Sequence, residues 1–213
     1  MTDSRSVVLA RIRAALGGPA ALPVPDEAIA RAYRESHVEG DLVALLAENL
    51  TDYRAHVHRS PESDVAGLCG RLLAARGTRT VAVPADLPGA WIPRNRDLRL
   101  VRDDGSFTAA ELDRIDSVIT GCAVAVAETG TLVLDAGPGQ GRRILTLVPD
   151  HHICVVRTAD QIVASVPQVL RRLDPRRPQT WISGPSATSD IELDRVEGVH
   201  GPRTLDVVLV AED

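Results

Sequence analysis

The stretch that decides the fold is SVITGCAVAVAETGTLVL, residues 117–134. Its two ends, 117–120 and 131–134, are short runs with β-branched residues and are strand candidates. Similar runs continue from residue 78 onward and alternate with segments of helical periodicity. Such alternation is typical of a mainly parallel sheet that is covered by helices on both faces. The sequence therefore predicts an α/β fold.

The remaining strand candidates share this composition and short length: residues 80–83, 98–101, 153–156, 180–183 and 206–210. Helices are predicted between several of them, most clearly over 108–115 and 159–173. The first of these helices opens with Thr108 and Glu111, which have the spacing of a capping box.

The first third of the chain is predicted to be helical, because apolar positions recur near helical spacing in residues 7–16, 29–38, 42–57 and 65–75. Ser60 is the expected N-cap of the last of these helices, with Pro61 at its first position. We predict an N-terminal helical segment, 1–76, that packs on or caps an α/β domain, 77–213. The alternative is that both parts share one core.

Composition excludes several classes of function. A chain of 213 residues with 44% apolar and 25% charged residues is typical of a globular protein of one or two domains. Its net charge of −5 and five aromatic residues argue against a nucleic-acid surface. The chain contains no lysine, which excludes a Walker-type phosphate loop and Schiff-base chemistry.

The cysteines and histidines predict no metal centre. Cys69, Cys122 and Cys154 are far apart and odd in number, which argues against a disulfide framework, a zinc ribbon or an iron–sulfur cluster. The histidine pairs 56/58 and 151/152 lack metal-ligand partners at suitable spacing, so we predict all four as surface or turn residues. With no apolar run near 18 residues and no signal peptide, a cytoplasmic location is expected.

Three loops are candidates for a ligand-binding surface, and the first is SGPSATSDIE, residues 183–192. It follows a strand candidate directly, and ligands bind beyond the carboxyl ends of strands in sheets of this kind. Ser189 and Glu192 form a capping box, which predicts a helix that starts at Ser189 and attracts anions to its N-terminus. The alternative is a turn followed by a capped helix without a ligand. The candidate residues are Ser183, Gly184, Pro185, Ser186, Ser189 and Asp190.

The second loop is AETGT, residues 127–131, which follows an apolar run. A carboxylate at Glu128 is expected to be partly desolvated, which raises its pKa and suits it to proton transfer or nucleophilic attack. Gly130 permits a close backbone approach, and Thr129 and Thr131 supply hydroxyls. The alternative is that Glu128 caps a turn or pairs with an arginine.

The third loop is GVHGP, residues 198–202, where His200 titrates near neutral pH and Gly201 follows it. A further segment, GPGQGRR at 137–143, contains Arg142, whose guanidinium suits recognition of a carboxylate or phosphate. The alternatives for this segment are a mobile lid and an ordinary solvated loop.

Taken in order, ITG at 119–121, AETGT, the Gly/Arg segment, LVPDHH at 147–152, SGPSATSDIE and GVHGP resemble the LUD domain of LutC-type lactate-utilisation proteins. The resemblance covers about residues 115–213, and Ala187 departs from it where a larger polar or basic residue is expected. It implies a three-layer α/β/α fold similar to that of the sugar-phosphate isomerase and CoA-transferase superfamily.

The same resemblance implies a component of a cytoplasmic system that oxidises L-lactate to pyruvate beside two iron–sulfur-containing subunits. A small carboxylate or other anion is expected at the loops, and Glu128 is the expected catalytic residue by analogy with the superfamily. No iron–sulfur cluster is expected on this chain, and the sequence identifies no other cofactor. Two alternatives are a stand-alone transferase or isomerase acting on an acyl or phosphorylated substrate, and a non-catalytic regulatory subunit that binds a metabolite.

Overall fold

The computed structural model describes residues 4–16, 33–189, 195–197 and 201–211. Contacts divide the chain into two units, Met1–Arg34 and Glu35–Asp213. The described part of the first unit is mainly one helix, α1 (Ser4–Ala15), in which no residue is buried. The second unit contains every strand that the structure describes.

The described part of the second unit has four α-helices, namely α2 (Leu42–Asp52), α3 (Val65–Ala75), α4 (Ala109–Leu112) and α5 (Val166–Leu170). Its strands are β1 (His56–Pro61), β2 (Thr80–Pro84), β3 (Arg99–Asp103), β4 (Ser117–Gly121), β5 (Val124–Val126), β6 (Thr131–Leu134), β7 (His151–Arg157), β8 (Ile162–Val163), β9 (Thr180–Ile182), β10 (Ala187–Ser189), β11 (Arg195–Glu197) and β12 (Thr204–Ala211). Within the described ranges, no helix is long and apolar enough to cross a membrane.

Six strands form the main sheet in the order β1-β12-β7-β4-β2-β3, and every neighbouring pair is parallel. Every residue of β4 is buried, as are all residues of β7 except Arg157. Near-continuous burial is typical of parallel strands that are covered on both faces. The predicted α/β fold with a mainly parallel sheet is confirmed.

The two faces of the main sheet have separate cores, because successive side chains of a strand point to opposite faces. Cys154 and Val156 pack with α2, whereas Ile153 and Val155 pack with α3. The sheet therefore lies between two covering layers, which agrees with the three-layer architecture.

A second, four-stranded sheet has the order β8-β5-β6-β9, in which β6 is antiparallel to both its neighbours. Its valines, Val124, Val126 and Val133, pack against α5. The helix predicted over 159–173 is wrong in its first part. Those residues contain a turn and β8, which pairs with β5, and α5 begins only at Val166. Pairing with a strand more than 30 residues earlier outweighs the local helical periodicity.

The helical prediction is also wrong for residues 56–61, which form β1. This strand pairs in parallel with β12, with His56 opposite Asp206. Ser60 and Pro61 end the strand and do not begin a helix, and α3 starts at Val65. The proline is tolerated because β1 is an edge strand. In the predicted helix 29–38, residues 33–38 are not helical and the others lie outside the described residues.

Helix α2 belongs to the same core as the strands after residue 78. It begins at Asp41, whose carboxylate accepts hydrogen bonds from the N–H groups of Val43 and Ala44. Leu46 and Leu50 are fully buried in the cluster that contains Leu132 and Cys154. Helices α2 and α3 therefore pack in the same cores as the strands after residue 77.

We predict that Leu50→Ala lowers the free energy of unfolding by about 2–5 kcal/mol, because it leaves a cavity where α2 meets the sheet. Leu170→Ala is the matched control, since Leu170 is 61% exposed, and its effect should stay within about 0.5 kcal/mol. Urea unfolding followed by circular dichroism measures both. Similar effects of the two substitutions would contradict the assignment of α2 to the core.

Candidate functional site

Two of the predicted loops meet at one end of the small sheet. Because β6 runs antiparallel to β9, with Leu132 opposite Ile182, the start of β6 lies beside the end of β9. The hydroxyls of Thr131 and Ser183 lie 2.8 Å apart, and those of Thr129 and Thr131 lie 2.7 Å apart. Three predicted site residues therefore form one chain of hydrogen-bonded hydroxyls.

The loop at 183–186 also meets the described end of the third loop. The N–H of Ser186 donates to the carbonyl oxygen of Pro202 over 2.8 Å. Gly201 lies beside this contact, since a Cβ there would lie 3.6 Å from the Cβ of Ser186. His200 and Asp190, both predicted site residues, lie outside the described residues.

The loop segments 183–186 and 201–202 line a cavity of about 250 Å³. Five of the predicted residues line it: Ser183, Gly184, Pro185, Ser186 and Gly201. The sequence did not predict the other lining residues, which include Thr146, His152, Thr180, Trp181 and Leu205. Among the described residues no charged side chain lines the cavity. Its volume is just below the range for small-molecule pockets, about 300–1,000 Å³.

The cavity lies where the end of β9 meets the beginnings of two strands of the main sheet. His152 is the second residue of β7, and Leu205 is the second residue of β12. The cavity therefore lies at the amino ends of these parallel strands, whereas the sequence predicted their carboxyl ends. The reason is that β9 belongs to the small sheet and not to the parallel one.

The helix predicted to start at Ser189 is wrong. Residues 187–189 form β10, which pairs antiparallel with β11, with Ala187 opposite Glu197 and Ser189 opposite Arg195. The five residues between the strands, 190–194, lie outside the described part of the chain. A capping-box spacing is compatible with a hairpin when strand pairing resumes this soon.

Gly130 is held against α2 and does not line the cavity. Its φ of +56° lies in the left-handed region, and an added Cβ would lie 2.8 Å from the carbonyl carbon of Asn49. The amide of Asn49 donates to the carbonyl oxygens of Ala127 over 2.7 Å and Glu128 over 3.1 Å. Helix α2 thus fixes the turn that carries Glu128.

The environment of Glu128 differs from the prediction. Its carboxylate contacts the His37 ring, with 3.2 Å between Oε1 and Nδ1. A hydrogen bond with Ser165, together with His37, holds its pKa below the ordinary range. The predicted rise in pKa is therefore wrong, because these partners outweigh desolvation. The side chain is 30% exposed and does not line the cavity.

Arg142 lies at the carboxyl end of β3 and is already bonded to a carboxylate of this chain. Its Nε and one terminal nitrogen donate to the two oxygens of the buried Asp103 over 2.8 and 2.6 Å. The same terminal nitrogen donates to the carbonyl oxygen of Phe107. The side chain anchors the Gly/Arg segment to β3 and does not line the cavity.

The prediction of surface positions is wrong for His151 and His152, which are 1% and 0% exposed. The His151 ring bridges Ser117 Oγ at 2.9 Å and Asp206 Oδ2 at 2.8 Å. His58 Nε2 contacts the other oxygen of Asp206 at 2.6 Å. This network, which the sequence did not predict, joins β1, β12, β7 and β4. The available indication was that Ser117 and the pair His151-His152 each directly precede a strongly apolar run.

His152 is buried with one ring nitrogen bonded. Its Nε2 lies 2.7 Å from Thr120 Oγ1, and its Nδ1 has no hydrogen-bond partner among the described residues. Burial, aided by His151, lowers the pKa of His152 to about 3. The ring that lines the cavity is therefore neutral at physiological pH. No described cluster of histidine, cysteine and acidic residues could hold a metal ion.

Comparison with known proteins places this architecture in a family. The LUD domain family matches residues 43–210, from α2 to β12. The chain belongs to the LUD domain family. The match includes α2, β1 and α3, and so extends well before residue 115.

Relatives of this LUD domain include Lactate utilization protein C of Deinococcus radiodurans, which is 48% identical over 167 residues and covers 76% of each chain. Lactate utilization protein C of Exiguobacterium is 35% identical over 151 residues, or 66% of this chain and 65% of that one. A crystal structure of a DUF162 family protein from Deinococcus radiodurans is similar, with a TM-score of 0.67 and 40% identity. It covers 80% of this chain and 96% of its own.

We predict that Gly130→Ala destabilises this LUD domain by more than the roughly 1–2 kcal/mol that a left-handed conformation costs a non-glycine residue. The added methyl would also overlap the backbone of α2. Gly77→Ala is the matched control, because Gly77 has a φ of +68° but open space around its Cβ position. Urea unfolding of both variants gives the comparison. Equal losses of stability in the two variants would show that overlap with α2 adds nothing to the destabilisation by Gly130→Ala.

Stability should fall in acid because of His152. In the unfolded chain the ring takes up a proton below its ordinary pKa of 6.5, whereas in the folded protein it stays neutral down to about pH 3. As the pH decreases from about 6.5 to about 3, the free energy of unfolding should fall by up to about 1.4 kcal/mol per pH unit. His152→Gln lacks the titrating ring, so the difference between wild type and variant should shrink between pH 6.5 and 4.5 in urea unfolding. A difference that is independent of pH would contradict the buried neutral ring.

Proposed function

We propose that this LUD domain is a component of an L-lactate utilisation system that oxidises L-lactate to pyruvate, and that its cavity binds a small carboxylate. The observation that carries the proposal is the meeting of the SGPS and GP loop segments around one cavity, in a chain whose relatives bear the name Lactate utilization protein C. Each loop is ambiguous by its residues alone, and their contacts through Thr131, Ser183 and Pro202 make them one surface.

The cavity lining supports a small polar ligand. Four of the lining residues bear hydroxyl groups: Thr146, Thr180, Ser183 and Ser186. A hydroxyl can rotate to donate or accept a hydrogen bond. Leu147, Ile182 and Leu205 contribute apolar side chains to the remainder of the lining. Lactate and pyruvate each combine a polar carboxylate end with one methyl group, so a mixed lining of this kind suits both. Their few heavy atoms fit the small volume.

Partner subunits with iron–sulfur clusters are part of the proposal, because oxidation of lactate releases two electrons. The cysteines of this chain are unsuited to hold a cluster together. Cys69 belongs to the core on one face of the main sheet, and Cys122 and Cys154 belong to the core on the other. We propose that the electrons pass to clusters carried by the partners.

The geometry favours binding at the cavity over independent catalysis by Glu128. Its carboxylate pairs with His37 and Ser165, and the lowered pKa makes it a weaker general base. A stand-alone transferase or isomerase would instead use the ionised Glu128 as a nucleophile. The substitution Glu128→Gln separates the two functions.

Growth tests the proposed function. We expect a clean deletion of the gene to abolish growth on L-lactate and to leave growth on pyruvate unchanged, because only the oxidation step is lost. The wild-type gene should restore growth, and so should Glu128→Gln, which keeps the size of the side chain and removes its charge. Normal growth of the deletion strain on L-lactate would refute the proposed function. Failure of a folded Glu128→Gln protein to restore growth would favour catalysis by Glu128.

A further inference from the structure

We propose that His152 is the residue that recognises the ligand in the cavity, through one hydrogen bond from its Nδ1 to a short 2-hydroxy or 2-oxo monocarboxylate. This inference rests on the proposed function and deepens it, because it names the class of ligand and the atom that selects it.

The first support is the unpaired nitrogen. His152 is fully buried and lines the cavity, and its Nδ1 is the one buried side-chain nitrogen or oxygen without a partner among the described residues. Buried polar atoms in folded proteins nearly always have a partner, so an exception points to a ligand or ordered water. The adjacent His151 is a contrast, because Ser117 and Asp206 satisfy both of its ring nitrogens.

The second support is that Thr120 fixes the ring. The 2.7 Å contact between Thr120 Oγ1 and Nε2 leaves Nδ1 as the unpaired atom. If the hydroxyl donates to Nε2, then Nδ1 carries the proton and can donate to a carboxylate or keto oxygen. If the hydroxyl accepts from Nε2, then Nδ1 is an acceptor for the hydroxyl of a 2-hydroxy acid. The ring therefore complements either member of a hydroxy-acid and keto-acid pair through its choice of tautomer.

The charge of the lining limits the ligand class. The described lining contains no charged side chain, and the His152 ring is neutral. Neutral donors can compensate the single charge of a monocarboxylate, whereas burial of two or more charges without a cation is far more costly. We therefore expect short monocarboxylates to bind in preference to dicarboxylates and inorganic phosphate. The volume of about 250 Å³ also favours a ligand of a few heavy atoms.

Two substitutions of His152 test the roles of its two ring nitrogens separately. His152→Gln can place its amide near the position of Nε2 and keep the contact with Thr120, but it lacks Nδ1. His152→Asn can place its amide near the position of Nδ1 and loses the contact with Thr120. Isothermal titration of wild type and both variants with L-lactate, pyruvate, malonate and inorganic phosphate compares them at neutral pH.

We expect wild type to bind L-lactate or pyruvate and to bind malonate and phosphate more weakly. His152→Gln should lose about tenfold to a hundredfold in affinity, as for one hydrogen bond to a charged group, and His152→Asn should lose less. Equal affinity of wild type and His152→Gln would overturn the role of His152. The absence of heat with any of the four compounds would instead count against the proposed cavity ligand.

A measurement on the wild-type protein keeps the inference testable if both variants fail to fold. The ¹⁵N shifts of the ring nitrogens report which of them carries the proton and whether its hydrogen bond changes. Titration with pyruvate should move the Nδ1 resonance of His152 and leave both ring nitrogens of His151 in place. Unchanged His152 resonances at saturating pyruvate would mean that Nδ1 binds ordered water only, and would overturn the proposal.

Discussion

The carboxylate of Asp206 is the group on which the arrangement of the main sheet depends. Burial opposes its ionisation, but hydrogen bonds from His151 and His58 outweigh that effect and hold its pKa below the ordinary range. A buried carboxylate is tolerated when it is paired in this way, and loss of one partner leaves an uncompensated charge. Since His58 lies on β1 and His151 on β7, the paired carboxylate joins β12 to both of its neighbours. His152, which follows His151 on β7, and Leu205, which precedes Asp206 on β12, are thereby positioned at the cavity.

The sequence predicted those elements whose cause is local. Strands β4, β6 and β7 are apolar runs with β-branched residues, and composition alone identifies them. Strand β1 could not be found in this way, because its partner β12 lies about 150 residues later in the chain. The two-residue strand β8 has too few side chains to show an alternation, and pairing with β5 defines it. Periodicity therefore failed where long-range pairing decides the structure.

The same difference between local and long-range causes explains which features of the site could be predicted. The antiparallel pairing of β6 and β9 brings Thr131 and Ser183 together, and the predicted meeting of their loops follows from that pairing. The environment of Glu128 depends on His37, 91 residues earlier in the chain, and that of Arg142 depends on Asp103. Neither partner is visible from local sequence, so the predicted pKa of Glu128 had the wrong sign. His152 was missed because its importance lies in an unpaired atom, which only a folded environment reveals.

The position of β12 has a consequence for biosynthesis. It lies between β1 and β7, so β1 joins the rest of the sheet only through a strand that is synthesised about 150 residues after it. Until residues 204–211 have left the ribosome, β1 has no neighbour and the edge of β7 is open. Long-range pairing of this kind slows folding and exposes unpaired strands to aggregation. The emerging polypeptide must therefore hold β1 unpaired while about 150 further residues are synthesised, before this sheet can close.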